Sequence, residues 1–300
     1  MAAAISVIRF AVISEGVYSW PLYVAQAQGL FAREGVNVEA TVTGSSTQQL
    51  AKLIAGDYDI GLQQSDHVVR GVEHGADLFI VMAQALAPEL TLVAAPGIQS
   101  FAALNGRDIA ADGARTGYAL LLRKLLADQG LADGDYTFRE IGGSQERFDS
   151  LKSGATVASL LNPPFDRNLL AAGFVSLGTT AEYFPTYPGS IAAARRSWAA
   201  RNEPALLAYI RAFDAAYAWL KDTRNKEEAI GLLPARLNID RATAARAYDQ
   251  IAAQPLPHIT ADGLRQVIGI VWASESLNGA PAAPEKYMDL SYLNKVRNAR

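Results

Sequence analysis

The side chains with the clearest potential for chemistry are hydroxyl, amide and charged groups that follow the strands predicted along the chain. Hydroxyl and amide groups bind neutral or anionic polar atoms and do not titrate near neutral pH. Such a set suits reversible recognition of a small molecule better than catalysis. The candidate ligand contacts are Ser14, Glu15, Tyr18, Trp20, Ser45, Ser46, Thr47, Gln63, Gln64, Asp66, Gln84, Arg115, Thr116, Tyr118, Asn162, Phe165 and Tyr187.

Arg115 supports the most specific hypothesis among these candidates. It immediately precedes a helix predicted to begin at Thr116. A guanidinium and the positive end of a helix are therefore expected to converge on a carboxylate or sulfonate. A solvated loop arginine is the alternative. A second helix begins at Ser45 to Thr47, where hydroxyl donors are also expected, although capping alone explains at least one of them.

Aromatic residues are dense in or near the same loops. They are Tyr18, Trp20, Phe165, Tyr183, Phe184 and Tyr187. Their rings are candidates to sandwich a planar ligand, and packing between lobes is the alternative. Glu15 is a candidate for a cationic group on the ligand, although an exposed loop acid is slightly favoured.

The signals for an enzyme or a metal site are weak. The sequence has no cysteine and three histidines. His67 and His74 are two helical turns apart without a nearby carboxylate pair, which is weak for a metal. Adjacent residues such as Ser65, Asp66 and His67 cannot form a catalytic relay. No nucleophile elbow, phosphate loop or dinucleotide fingerprint occurs. We therefore predict no catalytic residue, no cofactor and no metal.

Composition excludes several classes of partner. The chain has 300 residues, of which 50% are hydrophobic and 19% charged, and its formal net charge is −3. Nucleic acids and anionic membranes are bound by clustered lysines and arginines, which this sequence lacks. It also lacks a run of about 20 apolar residues, the length that spans a bilayer.

Strand and helix patterns alternate twice along the chain, which predicts an α/β fold with mostly parallel sheets. Strands are predicted over 6–13, 36–42, 58–63, 78–84, 108–111, 136–141, 157–161 and 174–177. Beyond residue 195 the pattern is helical. This pattern predicts two lobes, one formed by 1–92 with 191–300 and the other by 93–190. Extended crossovers near 83–95 and 187–194 are expected to join them. In such sheets, ligands bind beyond the carboxyl ends of the strands, so a cleft between the lobes is expected.

Several ordered motifs resemble one known family. Residues 21–39 read PLYVAQAQGLFAREGVNVE, residues 53–61 LIAGDYDIG, residues 104–110 LNGRDIA, residues 153–159 SGATVAS and residues 162–164 NPP. They are similar to motifs of the substrate-binding proteins of nitrate, sulfonate and taurine-type ABC importers. The resemblance covers residues 5 to 220. One departure is the missing acid where the family often has Gly-x-Val-Asp-Ala, because this chain has GATVA at 154–158.

This resemblance implies a type II periplasmic-binding fold with two hinged lobes, which is shared with pyrimidine-precursor binding and synthesis proteins. It implies a monomeric solute-binding protein that captures a small organic anion, a sulfonate or carboxylate including aromatic ones, and delivers it to an ABC permease. A periplasmic location is expected, with a signal peptide removed ahead of Met1; a native start at Met1 favours the cytoplasm. The alternative is an enzyme on the same fold, such as a decarboxylase that uses Arg115 for the carboxylate and Asp66 or Glu15 as the acid.

Overall fold

A computed structural model describes residues 5–13, 15–85, 90–113, 116–163, 165–253 and 256–299. The strands in these ranges are β1 Ser6–Val12, β2 Val36–Val42, β3 Ile60–Gln64, β4 Leu78–Ala85, β5 Thr91–Ala94, β6 Asp108–Ala111, β7 Thr137–Glu140, β8 Ala158–Leu161, β9 Val175–Thr179 and β10 Ser190–Arg195. The helices are α1 Trp20–Ala27, α2 Leu30–Arg33, α3 Ser46–Ala55, α4 Ser65–Glu73, α5 Gly117–Asp128, α6 Ser144–Lys152, α7 Phe165–Ala171, α8 Thr180–Tyr183, α9 Arg196–Arg201, α10 Glu203–Lys221, α11 Lys226–Gly231, α12 Pro234–Leu237, α13 Arg241–Ala253, α14 Ala261–Glu275 and α15 Ser291–Asn298. None of the helices in these ranges combines the length and apolar character needed to cross a membrane.

The chain folds into two compact units. Unit 1 consists of Met1–Ala85, Pro188–Ala261 and Ala283–Arg300, and unit 2 of Leu86–Tyr187 and Asp262–Ala282. The predicted lobes placed all of 191–300 in the first lobe, whereas 262–282, with most of α14, groups with unit 2. Each unit has its own sheet.

The sheet of unit 1 has the order β2-β1-β3-β10-β4. Strand β1 is parallel to β2 and β3, and β10 is antiparallel to β3 and β4. Strands β1 to β4 therefore run in one direction and β10 in the other. Ser190, the first residue of β10, pairs with Gln64 and Ala85 at the ends of β3 and β4.

The sheet of unit 2 has the order β7-β6-β8-β5-β9. Strand β6 is parallel to β7 and β8, and β5 is antiparallel to β8 and β9. Thr91 at the start of β5 pairs with Leu161 and Thr179 at the ends of β8 and β9. The α/β class with mostly parallel mixed sheets is confirmed in both units.

Helix α10 covers the sheet of unit 1. Its apolar stripe of Leu206, Ile210, Phe213, Tyr217 and Leu220, which recurs at helical spacing, is buried. The ring centroids of Phe10 in β1 and Phe213 lie 6.0 Å apart. Burial of each such side chain contributes about 1.5–3 kcal/mol, so this packing is a main source of stability for unit 1.

The segment from Trp20 to Arg33 forms two helices, α1 and α2, rather than one. They are divided at Gly29, whose φ of 62° is left-handed and incompatible with a continuous helix. The expected crossovers near 83–95 and 187–194 contain the unit boundaries at 85–86 and 187–188, together with strands β5 and β10, each in the interior of its sheet. Strand β10 reads SIAAAR, whose alanines have low strand propensity, and pairing on both sides overrides it.

Candidate functional site

The carboxyl edge of unit 1 is the sheet edge where β1 to β4 end and β10 begins. Because the parallel strands end together, the loops and helix starts that follow them meet there. The predicted site residues at this edge are Glu15, Tyr18, Trp20, Ser45, Ser46, Thr47, Gln63, Gln64, Asp66 and Gln84. They differ in exposure and in their hydrogen bonds.

Glu15 follows β1, and its carboxylate is bonded within unit 1. The hydroxyl of Tyr23 donates to Glu15 Oε2, and the Gly16 N–H donates to the Tyr23 hydroxyl at 3.3 Å. Burial, together with the Glu15 carboxylate, raises the pKa of Tyr23 to about 12. Tyr23 therefore stays protonated at neutral pH and orients an exposed carboxylate at this edge.

Two of the predicted aromatic contacts differ in burial. Trp20 is fully buried, its indole N–H donates to Ala229 O at 3.1 Å, and its ring packs edge-on against Tyr248. Tyr18 is half-buried in the loop before it. Trp20 therefore belongs to the packing of unit 1, and Tyr18 is the more accessible ring.

Helix α3 begins with the hydroxyl residues that the sequence singled out. Ser45 is the N-cap, and its hydroxyl accepts from the Gln48 N–H at 3.2 Å. Of the two interpretations of this cluster, ligand donors and helix capping, capping therefore applies to Ser45. Ser46 is half-buried and Thr47 is exposed.

A buried polar cluster follows β3. Gln63 Oε1 lies 2.8 Å from His67 Nδ1, and Asp66 Oδ2 accepts from the Arg70 guanidinium at 2.6 Å. Three atoms of this cluster are buried without a hydrogen-bond partner among the described residues: Gln63 Nε2, Ser65 Oγ and Asp66 Oδ1. Gln64, the neighbouring site residue, is half-buried.

Gln49 adds two further unpartnered atoms, its Nε2 and Oε1, and is fully buried on α3. Leu53, one turn later, packs over Gly61 of β3, where a Cβ would lie 3.2 Å from Leu53 Cδ2. Gln49 is one turn, about 6 Å, closer to the carboxyl edge than Leu53. Gln63 is two residues after Gly61 on β3, so it is closer to the carboxyl edge than Gly61 by a similar distance. The two glutamines thus occupy one polar layer between α3 and β3.

Gln84 is the last of the predicted site residues at the carboxyl edge of unit 1. Its Nε2 donates to the hydroxyl of Tyr209 at 2.7 Å, and both side chains are buried. Burial raises the pKa of Tyr209 well above its usual value, so the hydroxyl remains neutral. Gln84 thereby links β4 to α10.

The carboxyl edge of unit 2 is the sheet edge where β6 to β9 end and β5 begins. The predicted site residues described there are Thr116, Tyr118, Asn162, Phe165 and Tyr187. Thr116 caps α5 by accepting from the Ala119 N–H at 3.2 Å, and its hydroxyl donates to Asp112 Oδ1 at 2.5 Å. Tyr118 is half-buried on the first turn of α5.

The other predicted residues of unit 2 are bonded or packed locally. Asn162 Oδ1 accepts from the Ser144 hydroxyl at 2.5 Å, which joins the end of β8 to the start of α6. The Phe165 ring packs 5.8 Å from Phe148. Tyr187 is buried, with its ring 6.5 Å from that of Phe184.

Sequence analysis missed Arg147, which is only 4% exposed on α6. Its guanidinium donates to Gly142 O at 2.5 Å and to Ser144 Oγ at 3.2 Å, both uncharged acceptors. Burial lowers the pKa of Arg147, and Asp112 opposes that shift. Among the described residues this buried cation has uncharged hydrogen-bond acceptors, which makes it a candidate anion site.

A small recess beside Arg147 lies between α5, α6 and the sheet of unit 2. Its polar lining residues are Asp112, Tyr118, Arg147 and Ser159. Its apolar lining residues are Ala110, Ala111, Ala119, Leu122 and Leu160. The sequence does show an arginine about one turn into α6, the helix that follows Gly142 and Gly143. It does not show that this arginine is buried.

Two predicted contacts, Ser14 and Arg115, lie outside the described residues. Within the described ranges, no group of three or more histidine, aspartate or glutamate side chains is placed to hold a metal ion.

The two sheets, their strand orders and their carboxyl edges define the two-lobed fold of periplasmic binding proteins. The model of the NMT1-like family matches residues 13–234. The chain belongs to this family, and the resemblance indicated by the sequence is confirmed. No curated protein matches the sequence.

Solved structures share the fold at low identity. The periplasmic aliphatic sulphonate binding protein SsuA from Escherichia coli is 20% identical with a TM-score of 0.77, over 94% of this chain and 91% of that one. The alkanesulfonate-binding protein SsuA from Xanthomonas axonopodis, bound to MOPS, is 19% identical with a TM-score of 0.76, over 96% and 100%. The periplasmic nitrate-binding protein NrtA from Synechocystis is 15% identical with a TM-score of 0.78, over 98% and 89%.

Proposed function

We propose that this chain is the solute-binding component of an ABC importer and captures a small organic anion, a carboxylate or sulfonate, by hinge closure of its two units. The observation on which this depends is the chemistry of the two carboxyl edges in a chain of the NMT1-like family. Both edges present hydroxyls, amides and helix starts. These groups hold a ligand without transferring protons to or from it.

Helix starts supply the attraction for an anion. Helices α3, α4, α5 and α6 all begin at carboxyl edges, where their first N–H groups lack partners within the helix. The partial positive charge of each helix start favours a carboxylate or sulfonate. The tyrosines, of which Tyr18 and Tyr118 are half-buried, suit an aromatic ligand. Arg115 remains a proposed anion contact.

The names of structural neighbours support the ligand class and the setting. SsuA proteins are named for sulfonates and NrtA for nitrate, and both are described as periplasmic. We accordingly propose a periplasmic location for this chain, an ABC permease as its partner and a monomer as its working form. A closed, ligand-bound form would be the one that the permease recognises.

A ligand screen by thermal unfolding tests the proposal. The full chain is heated with sulfonates, aromatic and aliphatic carboxylates, amino acids and pyrimidines, and hits are measured by calorimetric titration. A ligand present at 100 times its Kd stabilises the folded state by about 2.7 kcal/mol, so an acidic ligand is expected to raise Tm by several degrees. Uncharged amide analogues of each hit are the matched controls. If no acid raises Tm at millimolar concentration, the proposal is wrong.

The same hits distinguish binding from catalysis. Each is incubated with the protein for a day and analysed by mass spectrometry. We expect the compound to be recovered unchanged. A product that forms with the protein and not without it would favour the alternative of an enzyme on this fold.

A further inference from the structure

We propose that the buried Arg147 sets the direction of the Asn162 side-chain amide through the hydroxyl of Ser144, so that Asn162 offers an N–H donor to the acid group of the ligand. Arg147 is thus a positioning residue, because it acts on the ligand through two other side chains. This inference rests on the proposed function. It concerns the carboxyl edge of unit 2, where Asn162 follows β8 and Ser144 begins α6.

Arg147 is placed to act on the ligand indirectly. The recess beside its side chain has room for about one water molecule, which is too little for an organic acid. The guanidinium therefore affects an organic ligand through the groups that it bonds. These are Gly142 O at 2.5 Å and Ser144 Oγ at 3.2 Å.

The bond from Arg147 fixes the direction of the bond that follows it. A guanidinium can only donate hydrogen bonds, so Ser144 Oγ accepts from Arg147. The single O–H of Ser144 then points away from the guanidinium, and it donates to Asn162 Oδ1 at 2.5 Å. The oxygen of the Asn162 amide is therefore held at the start of α6, and its nitrogen faces the other way.

The nitrogen end of the Asn162 amide has a donor for a ligand. Asn162 Nδ2 donates to Pro163 O at 3.2 Å. An amide nitrogen carries two N–H groups, so the second N–H can bond to an acceptor at the carboxyl edge, where Asn162 is half-buried. A carboxylate or sulfonate oxygen is such an acceptor, and its charge strengthens the bond.

The bond from Ser144 ties the amide to a second element. Pro163 is the next residue of the chain, so its carbonyl moves together with Asn162. Ser144 belongs to α6 and is itself bonded to the buried Arg147. Without the Ser144 hydroxyl, the amide can rotate about its terminal torsion, which is broad and roughly two-fold. A rotated amide presents its oxygen to the acid group, and two acceptor oxygens repel each other.

A double-mutant cycle of Ser144→Ala and Asn162→Ala tests this chain of bonds. Neither substitution changes the net charge. The Kd of the best acid from the thermal screen is measured on the full chain by calorimetric titration. Asn162→Ala is expected to weaken binding about tenfold or more, and Ser144→Ala about fivefold or more, because a donor to a charged acceptor is lost or misdirected. In the Asn162→Ala chain, Ser144→Ala is expected to change Kd less than about twofold, because no amide remains to be oriented.

Equal weakening by Ser144→Ala with and without Asn162 would overturn the inference. A general loosening of unit 2, or a direct contact between Ser144 and the ligand, acts without Asn162 and gives that result. An unchanged Kd in either single variant would overturn the inference as well. In each of these cases the acid still binds the unsubstituted chain, so the proposed function stands. If no acid of the panel binds, the proposed function fails and the inference fails with it.

Arg147→Met tests whether Arg147 is the origin of the orientation. This substitution also removes a positive charge that attracts any anion, so its effect is compared with and without the Ser144 hydroxyl. We expect the loss of affinity caused by Arg147→Met to be larger, by about threefold or more, when Ser144 is present than in the Ser144→Ala chain. The same loss in both chains would contradict the role of Arg147. Thermal unfolding without ligand shows whether each variant folds, and the cycle of Ser144 and Asn162 decides the outcome if Arg147→Met does not.

Matched controls come from exposed residues of the same unit. Ser153 is exposed at the C-terminal end of α6, and Arg139 is exposed on β7, where it pairs with Asp108 at 2.9 Å. Ser153→Ala and Arg139→Met are expected to leave the Kd of the acid unchanged.

Discussion

At the scale of single residues, the buried polar layer of unit 1 carries a cost in stability. Gln49 Nε2 and Oε1 and Gln63 Nε2 are buried without hydrogen-bond partners among the described residues. A buried amide that lacks partners costs about 1–3 kcal/mol relative to one that is bonded. This cost lies at the carboxyl edge, where binding proteins of this fold need polar groups.

Gln49→Met is expected to raise the free energy of unfolding by about 1–3 kcal/mol, because methionine has a similar shape and no amide to desolvate. Met and Gln also have similar helix propensities, so the change acts through the side chain alone. Urea denaturation of the ligand-free protein measures the effect.

Gln48→Met is the control for this substitution. Gln48 is the exposed neighbour on α3, and its substitution is expected to change stability by less than about 0.5 kcal/mol. A clear loss of stability in Gln49→Met would contradict the prediction and would show that the amide is satisfied in solution.

Sequence reasoning located the edges better than it identified the residues that matter there. Loop positions such as Ser45 and Thr116 follow from strand and helix patterns, and both cap helices in the structure. Arg147 was missed because its burial depends on how α6 packs against α7 and the sheet of unit 2. Trp20 was assigned to a loop by its position, yet tertiary packing buries its ring completely. Sequence patterns indicate where strands and helices begin and end, whereas the burial of a side chain depends on residues that are distant in the sequence.

At the scale of elements, local patterns predict the parallel strands of unit 1 but not its antiparallel strand. Strands β1 to β4 were predicted because apolar runs and helices alternate locally. Strand β10 reads SIAAAR, which has little strand propensity, and lies between β3 and β4 because both supply hydrogen bonds. The pairing partners of β10 are more than a hundred residues away, so no local pattern indicates them.

The C-terminal segment of unit 1 returns to α4 and β4 through a few specific contacts. Glu73 at the end of α4 accepts from the Tyr287 hydroxyl at 2.5 Å and from Lys286 Nζ at 2.6 Å. The Ile80 N–H of β4 donates to Tyr287 O at 2.8 Å. Burial by itself would raise the pKa of Glu73, but the bonds from Lys286 and Tyr287 outweigh it and lower the pKa below its usual 4.5.

Glu73→Gln is expected to lower the free energy of unfolding by about 1–2 kcal/mol at pH 7, because a charged acceptor is lost. A carboxylate with a lowered pKa stabilises the fold above its unfolded pKa and loses that contribution as the pH falls through the folded value. The difference between the two proteins should be constant from pH 7 to about 5 and shrink below about pH 4.5. Denaturation at a series of pH values measures it.

The control for Glu73 is Glu285→Gln, an exposed acid close to the same contacts. Its substitution is expected to leave stability within about 0.5 kcal/mol at every pH. A stability difference in Glu73→Gln that stays the same down to pH 3 would contradict the assigned role of the charge.

At the scale of the whole molecule, the chain passes between its two units four times. The passages fall at 85–86, 187–188, 261–262 and 282–283. Two of them adjoin strands of unit 1, β4 at the edge of its sheet and β10 in the interior. The hinge closure proposed above would act through the backbone at these passages.

Hinge closure predicts a change in overall dimensions on binding. Small-angle X-ray scattering of the full chain, with and without a saturating concentration of the best acid from the thermal screen, should show a smaller radius of gyration in the bound form. A ligand can shift this equilibrium only by its difference in affinity between open and closed forms, so a weak analogue that raises Tm less should also compact the protein less at equal occupancy. An uncharged amide analogue that does not bind is the control for solvent contrast. Tight binding of an acid with no change in the radius of gyration would exclude closure as the means of capture while leaving solute binding itself intact.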